Sequence, residues 1–368
     1  MESTVPIEEL RSAGFGDEVE TVATAVAEYL DGGTGANVAV VSEPYAGRDA
    51  LLEYAESLLE DEAEFTRTAL DPSAADGDGP PFPDPVDGDA ASRPAEGTPA
   101  EAGPDAADGG RAGALVVSDC HHLFDRHIDG FEALDAFRQR LALSDPLVVT
   151  SWNRHAWSYL DAVRDVGDSF PVTVEIPPLD ADELRTVIEA HYGPGLPDAV
   201  DTGQAGRIEE VVFDRYALPL PGGRSVGIPY PKPNTAWLAA RSASGTEESV
   251  EAVVFEKLRR VSRGNPGVAK AAWEEAVTDG KIAPAYIEAP PSGLSLDDDA
   301  AFLLWTVVVM ESTSIDRLDD LFEDRPVEAT LQDLVEQGLV TVTDRTVAVA
   351  PESLPVAVDA LERGRLVW

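Results

Sequence analysis

The segment 42–50 combines residue types that can hold a phosphate group. It follows the all-apolar run Val38–Val41 and leads into a stretch with helical periodicity. A run of apolar residues without alternation predicts a strand that is buried on both faces. A loop between such a strand and a helix presents backbone N–H groups to an anion, near the positive end of the helix dipole. The sequence therefore predicts an anion-binding loop after Val41.

The loop matches the phosphate-binding pattern GxxxxGK[ST] only in part. Ser42 stands at the first glycine, Gly47 at the second, Arg48 at the lysine and Asp49 at the hydroxyl residue. Arg48 can pair with a phosphate through two hydrogen bonds, whereas Asp49 can contact a metal ion but adds negative charge beside a phosphate. The residues predicted to contact a nucleotide here are Ser42, Ala46, Gly47, Arg48, Asp49 and Ala50. The alternative is an ordinary strand-to-helix turn that binds nothing.

Strands and helices alternate along the first half of the chain. Apolar runs predict strands at 64–69, 114–118, 147–150 and 172–176, and helical periodicity predicts helices at 17–30, 48–60, 130–143, 154–163 and 180–192. This alternation predicts an α/β fold with a parallel sheet and flanking helices. Polar residues stand at the ends of two strands: Asp119 follows the strand 114–118, and Thr150 to Asn153 end and follow the strand 147–150.

In this order the motifs resemble the AAA+/STAND branch of P-loop NTPases, of the archaeal ATPase-like kind. Asp119 matches the Walker B aspartate, the strand end from Thr150 to Asn153 matches the sensor-1 position, and Gly264–Pro266 matches a turn of the helical lid. Three helices and a two-stranded ribbon, predicted after residue 293, are similar to a winged helix.

The resemblance implies that ATP or ADP binds with Mg²⁺ between the core and the lid. The implied contacts are Gly47 and Arg48 to the phosphates, Asp119 or Asp49 to Mg²⁺, and Thr150 or Asn153 to the γ-phosphate as its sensor. For Asp119 the alternative is a strand-end residue that caps a neighbouring helix.

Three chemical positions are altered together, which argues against efficient hydrolysis. Cys120 stands where the family places the glutamate that polarises the attacking water. Without that carboxylate, and with Arg48 and Asp49 at the lysine and hydroxyl positions, attack by water loses its orienting base. We predict a nucleotide-responsive regulatory or scaffolding protein of AAA+/STAND type, which binds ATP or ADP and hydrolyses ATP weakly or not at all. The alternatives are an active ATPase that regulates replication or transcription by binding DNA through the winged helix, and a pseudo-NTPase that only assembles protein complexes.

Acidic residues outnumber basic ones along the chain, 69 against 27, which gives a formal net charge of −42. Only four of the basic residues are lysines. Acid excess with few lysines resembles the proteins of salt-in halophiles, because molar salt screens the self-repulsion of such surfaces. A hydrophobic fraction of 43% still predicts a folded chain. The charge argues against a nucleic-acid-coating role, which needs clustered Lys and Arg.

Cysteine content and apolar runs indicate the compartment. The single cysteine, Cys120, indicates a reducing cytoplasm. The N-terminal segment lacks the pattern of a signal peptide. The longest largely apolar stretch, Ala300–Met310, has 11 residues, one of which is Thr306, and this is about half of what a membrane span needs. The sequence therefore predicts a cytoplasmic protein without a membrane span.

Composition divides the chain into three predicted domains. Residues 1–192 form the α/β core, 193–292 a helical lid with an inserted hairpin at 207–242, and 293–368 a winged helix. Within the core, 71–113 consists almost entirely of Asp, Ala, Gly, Pro, Ser and Glu, which predicts a disordered loop.

The predicted partner is a protein, contacted through the winged helix or the hairpin 207–242. The third C-terminal helix, 326–337, carries three acidic residues and no basic one. This argues against DNA, because base readout and phosphate contacts need cations. Arg224, Tyr230 and Trp237 of the hairpin are candidates for a protein-binding surface, against the alternative of a packed surface loop. An oligomer is compatible with the sequence.

Three of the five histidines, His121, His122 and His127, lie close to Asp119 and Cys120. Such a set can bind zinc or form a Cys–His nucleophile. We expect neither, since adjacent side chains diverge at a strand end and the spacing matches no zinc signature.

Overall fold

The computed structural model describes residues 15–32, 36–60, 62–72, 113–125, 130–143, 146–193, 195–200, 211–220, 224–233, 249–288, 294, 296–322 and 327–367. For 211–220 and 224–233 it describes the backbone alone. Most of the predicted disordered loop, 73–112, lies outside these residues.

Five parallel strands form the central sheet, in the order β2-β3-β4-β1-β5. The strands are β1 Asn37–Ser42, β2 Phe65–Ala69, β3 Ala114–Ser118, β4 Val148–Asn153 and β5 Val172–Glu175. Strand β1 lies inside the sheet between β4 and β5, which explains why its residues are apolar without alternation. The parallel sheet with flanking helices confirms the predicted α/β fold, and the strand order with the loop after β1 makes it P-loop NTPase-like.

Helices cover both faces of the sheet. They are α1 Gly16–Leu30, α2 Arg48–Leu59, α3 Glu132–Leu143 and α4 Arg154–Arg164. Val38 and Val40 of β1 pack with α1 and α2, whereas Ala39 and Val41 pack with α3 and α4. Successive side chains of a strand point to opposite faces, so one strand anchors two apolar layers.

One strand boundary differs from the prediction in a way that matters for the site. The predicted strand ends at Thr150, but β4 continues to Asn153. Ser151 to Asn153 pair in parallel register with Val40 to Ser42 of β1, so the ladder of hydrogen bonds outlasts the apolar pattern. Asn153 therefore stands beside the start of the loop.

The segment after the sheet begins with α5 Ala181–Tyr192, which a capping box of Asp180 and Glu183 starts. The elements that follow are β6 Asp198–Ala199, β7 Val211–Leu220, β8 Arg224–Pro233, α6 Val250–Ser262, α7 Pro266–Ala276 and β9 Lys281–Ile282. Strands β7 and β8, which lie within the segment predicted as an inserted hairpin, pair antiparallel along their whole length. Trp237 lies outside the described residues.

The C-terminal elements are α8 Asp298–Met310, β10 Ser312–Ser314, α9 Ile315–Leu321, α10 Val327–Glu336, β11 Val340–Thr343, β12 Thr346–Val349 and α11 Leu354–Arg363. The three predicted helices and the ribbon are present, and β10 extends the ribbon to three antiparallel strands. Helix α11 was not predicted from the sequence.

Helix α8 joins the C-terminal elements to the sheet. Its residues from Leu303 to Met310 are buried, and Leu303 and Trp305 lie in the same apolar cluster as Val41 and Trp152. A helix that is apolar all round must be covered on several sides, and here α4 and the C-terminal helices α10 and α11 cover it. This packing brings the C-terminal end of α8 to the carboxyl edge of the sheet. Along the described ranges, no helix combines the length and apolar character that crossing a membrane would require.

Candidate functional site

The loop after β1 is held from two sides. Asn265 donates from its Nδ2 atom to the carbonyl oxygen of Pro44 at 2.8 Å. The backbone N–H of Gly267 donates to the carbonyl oxygen of Tyr45 at 3.1 Å. The Tyr45 hydroxyl donates to the carbonyl oxygen of Val349 in β12 at 2.6 Å. Burial, and then nearby carboxylates, raise the pKa of Tyr45 to about 12. The start of α7 and the C-terminal ribbon therefore both rest directly on the loop.

Arg48, the first residue of α2, lies buried beneath that loop and faces two carboxylates. Its Nη1 and Nη2 atoms donate to the two carboxylate oxygens of Glu311 at 2.7 and 2.8 Å, and Nη2 also donates to Asp119 Oδ1 at 2.9 Å. Burial alone would lower the pKa of Arg48, but the charges and hydrogen bonds of Glu311 and then Asp119 outweigh it and raise that pKa. Because one guanidinium faces two carboxylates, the cluster of Arg48, Glu311 and Asp119 carries a net negative charge when all three groups are ionised.

Glu311 directly follows α8 and has an unusual backbone. Its φ of 58° and ψ of −46° lie outside the ordinary regions for a residue with a side chain. Such conformations cost about 1–3 kcal/mol and persist only where the surroundings enforce them. A carboxylate at the C-terminal end of a helix is also unfavourable for the helix dipole. The hydrogen bonds from Arg48 and Asn153 to its carboxylate offset the backbone strain and the unfavourable helix dipole.

Asn153 links Glu311 to the sheet. Its Oδ1 atom accepts hydrogen bonds from the backbone N–H groups of His155 and Ala156 and so caps α4. This cap turns the Nδ2 atom toward acceptors, and Nδ2 donates to Val308 O at 2.8 Å and to Glu311 Oε1 at 3.0 Å. The resemblance implied that Arg48 and Asn153 contact phosphate, and in the structure both bind the same carboxylate.

Asp119 directly follows β3 and has a left-handed backbone, with φ 60°. Its N–H donates to Ser151 Oγ at 3.0 Å, which ties the ends of β3 and β4 together. Its side chain makes no capping hydrogen bond to the short 3-10 turn that follows and pairs with Arg48 instead.

The other predicted site residues are not brought to this cluster. The Ser42 hydroxyl donates to the next carbonyl oxygen along the chain. Thr150 is fully buried in the sheet, where its hydroxyl donates to Val38 O and accepts from Trp152 Nε1. Asp49 is exposed on α2. Ala46 and Ala50 flank the turn at Gly47, whose φ of 88° allows the chain to enter α2 directly.

The Cys–His segment is buried rather than poised for reaction. Burial, and then the charge of Asp119, raise the pKa of the Cys120 thiol well above its ordinary value, so the thiol stays protonated. His121 and His122 lie with ring centroids 4.3 Å apart. In the described part of the chain, no three His, Cys, Asp or Glu side chains are grouped as metal ligands. His127 lies outside that part.

Acid should destabilise the fold through His122. Burial lowers its pKa from 6.5 to about 4, so between these values the unfolded chain binds more protons than the folded one. Stability therefore rises with pH in this window and falls as pH drops from 6.5 toward 4. We expect His122 to account for about 1–2 kcal/mol of the free energy of unfolding lost between pH 7 and pH 5.

Urea unfolding at pH 7, 6 and 5 measures this loss. The free energy of unfolding should depend less steeply on pH in the variant His122→Gln than in the wild type. The carboxylates that also titrate are the same in both proteins. Equal slopes for both proteins would contradict the assignment to His122.

The residues of this conformation do not fit a nucleotide phosphate with Mg²⁺. The buried cation Arg48 already holds a carboxylate through two hydrogen bonds, and an added phosphate would meet the charges of Glu311 and Asp119. Asp119, the predicted Mg²⁺ ligand, uses Oδ1 for Arg48. The start of α7 lies against the loop where the resemblance places the ligand between core and lid.

Solved structures with a similar course of the chain include the Thermotoga maritima RuvB Holliday junction branch migration motor, at 11% identity, covering 93% of each chain, with a TM-score of 0.35. They also include Cdc6p from Pyrobaculum aerophilum, at 13% identity, covering 100% of this chain and 97% of that one, with a TM-score of 0.40. The Aeropyrum pernix ORC2 protein in its ADP form has 12% identity, covers 95% of this chain and 94% of that one, and has a TM-score of 0.38. No protein-family model and no curated protein matches the sequence. These values are too low to assign a function to this chain, and the fold class stands on the sheet itself.

Sequence reasoning missed Glu311. One signal was present: Glu311 is the first charged residue after a largely apolar stretch of 11 uncharged residues, at a helix end where a carboxylate is unfavourable. The unfavourable position indicates that Glu311 has a stabilising partner, but it does not indicate which residue the partner is. Glu311 and Arg48 are 263 positions apart in the sequence, so no local sequence pattern can predict their contact.

Proposed function

We propose that this chain is a regulatory or scaffolding protein built on a P-loop NTPase-like fold, and that it hydrolyses ATP weakly or not at all. The observation that supports this proposal is the state of Arg48. The residue at the lysine position pairs with two carboxylates of its own chain, and Cys120 occupies the position of the water-polarising glutamate. Both features remove parts that hydrolysis needs.

Measurement of phosphate release tests this proposal. We expect wild-type protein with ATP and Mg²⁺ to release phosphate no faster than Asp119→Asn, which removes the one remaining Walker B carboxylate. Asp298→Asn is the matched control, since it makes the same change at an exposed position of α8. Release by the wild type and Asp298→Asn well above that of Asp119→Asn would show an active ATPase and overturn the proposal. Assays in molar KCl suit the halophilic character that the charge of −42 suggests.

The C-terminal elements support a protein partner over DNA. We interpret 293–368 as a winged helix, and α10 takes the position of its recognition helix. Glu328, Asp333 and Glu336 are exposed on α10, and such a surface repels phosphates. The packing of α8 against α4 and the turn after β3 gives these elements a structural role within the chain.

A further inference from the structure

We propose that the carboxylate of Glu311 occupies an anion-binding site at Arg48, from which another anion can displace it. While the C-terminal elements pack against the loop after β1, Glu311 excludes nucleoside polyphosphates from this site. This inference deepens the proposed function and rests on it, since it concerns the same site and names what regulates it.

The chemistry of Arg48 supports an exchange between carboxylate and phosphate. A guanidinium binds both groups through the same pair of parallel hydrogen bonds. Here the pair runs from Nη1 and Nη2 to the two oxygens of Glu311, at 2.7 and 2.8 Å. Asn153 adds a third donor to one of these oxygens. The carboxylate therefore receives hydrogen bonds from donors of the kind that also bind phosphate groups.

The backbone of Glu311 indicates that this contact is enforced. A residue with a side chain rarely adopts φ 58° with ψ −46°, and strain of this kind concentrates at functional sites. The strain would be released if Glu311 left Arg48, whereas the hydrogen bonds of its carboxylate oppose that release. The two effects act in opposite directions, which makes the contact a candidate for displacement by a stronger anion.

Displacement would also change the C-terminal elements. Glu311 is the corner between α8 and β10, and β10 pairs with β12, whose Val349 accepts the hydrogen bond of Tyr45. Moving Glu311 away from Arg48 therefore disturbs the ribbon that rests on the loop. Polyphosphate binding and docking of the ribbon compete for the same place.

The variant Glu311→Gln tests the inference, with Asp359→Asn as its matched control. Both remove one negative charge from the C-terminal elements, but Asp359 pairs with the exposed Arg263 at the end of α6, away from Arg48. Equilibrium binding of a fluorescent ATP analogue should be about tenfold tighter, or more, for Glu311→Gln than for the wild type and Asp359→Asn. Inorganic tripolyphosphate should compete if the phosphates alone are recognised, and the double variant Arg48→Ala/Glu311→Gln should lose the gain.

Circular dichroism establishes whether Glu311→Gln is folded. The inference is overturned if the folded variant binds the ATP analogue no more tightly than Asp359→Asn. If Glu311→Gln does not fold, Glu311→Asp keeps the charge but withdraws the carboxylate by one methylene, and it should show a smaller gain of the same sign. No gain in that variant likewise overturns the inference. A failure here leaves the proposed function intact, because phosphate release by the wild type tests that separately.

Discussion

Replacing Arg48 by alanine should lower the free energy of unfolding by about 3–5 kcal/mol, because it leaves Glu311 and Asp119 without their cation in a buried site. Arg48 is 6% exposed, and the Glu311 side chain is 18% exposed. In water the loss of an ion pair is largely repaid by hydration, but here the protein excludes most of that water. Urea unfolding followed by circular dichroism measures the effect.

The matched control is Arg67→Ala. Arg67 pairs with Glu56 at 3.0 Å, but its side chain is 43% exposed, and exposed pairs contribute about 0–1 kcal/mol. If Arg48→Ala cost no more than Arg67→Ala, the buried cluster would not stabilise the fold as described.

A second comparison separates the pair from general packing. The double variant Arg48→Ala/Glu311→Ala removes a stranded carboxylate together with its cation, so it should be less destabilised than the sum of the two single variants. Additive losses would mean that Arg48 and Glu311 act independently, against the hydrogen-bond geometry.

Replacing Gly264 by alanine should cost about 3 kcal/mol, the second largest effect we expect. Gly264 has φ 80°, and a Cβ atom there would lie 2.5 Å from the carbonyl oxygen and 2.7 Å from the nitrogen of Leu179. Both are backbone atoms and cannot rotate away. The N–H of Leu179 donates to Gly264 O at 2.8 Å, so the clash would also break the hydrogen bond that joins the turn before α7 to the connection between β5 and α5.

Gly280→Ala is the control for this prediction. Gly280 has a similar φ of 71°, but nothing lies within 4 Å of its would-be Cβ atom. It should therefore cost only the backbone strain, about 1–2 kcal/mol. Thermal and urea unfolding of both variants measure the difference, and equal losses would show that the approach of Leu179 is not tight.

The sequence alone predicted the elements of the core because their signals are local. The apolar run at Val38–Val41 marks a strand buried on both faces, and the helical periods on either side mark its neighbours. Their alternation predicted the parallel sheet that the structure shows. The sequence also determined which residues stand at the chemical positions of the loop, with Arg48 at the lysine and Asp49 at the hydroxyl residue.

The sequence alone predicted too early an end for β4 and left Thr150 and Asn153 as alternative sensor residues. The predicted strand ends at Thr150, but pairing with β1 extends the strand to Asn153, and pairing is a property of two strands. The same pairing places the Thr150 hydroxyl inside the sheet and brings Asn153 to its edge.

What only the tertiary structure decided is the identity of the group that Arg48 binds. Residue types showed that Arg48 can hold an anion, and the resemblance suggested a phosphate. The structure shows the carboxylate of Glu311, 263 residues away, because α8 packs against α4 and the turn after β3, and this packing brings its C-terminal end to that edge. Local pattern depends on neighbours a few residues apart. A contact over such a distance depends on how whole layers pack, and that packing here decides what fills the site.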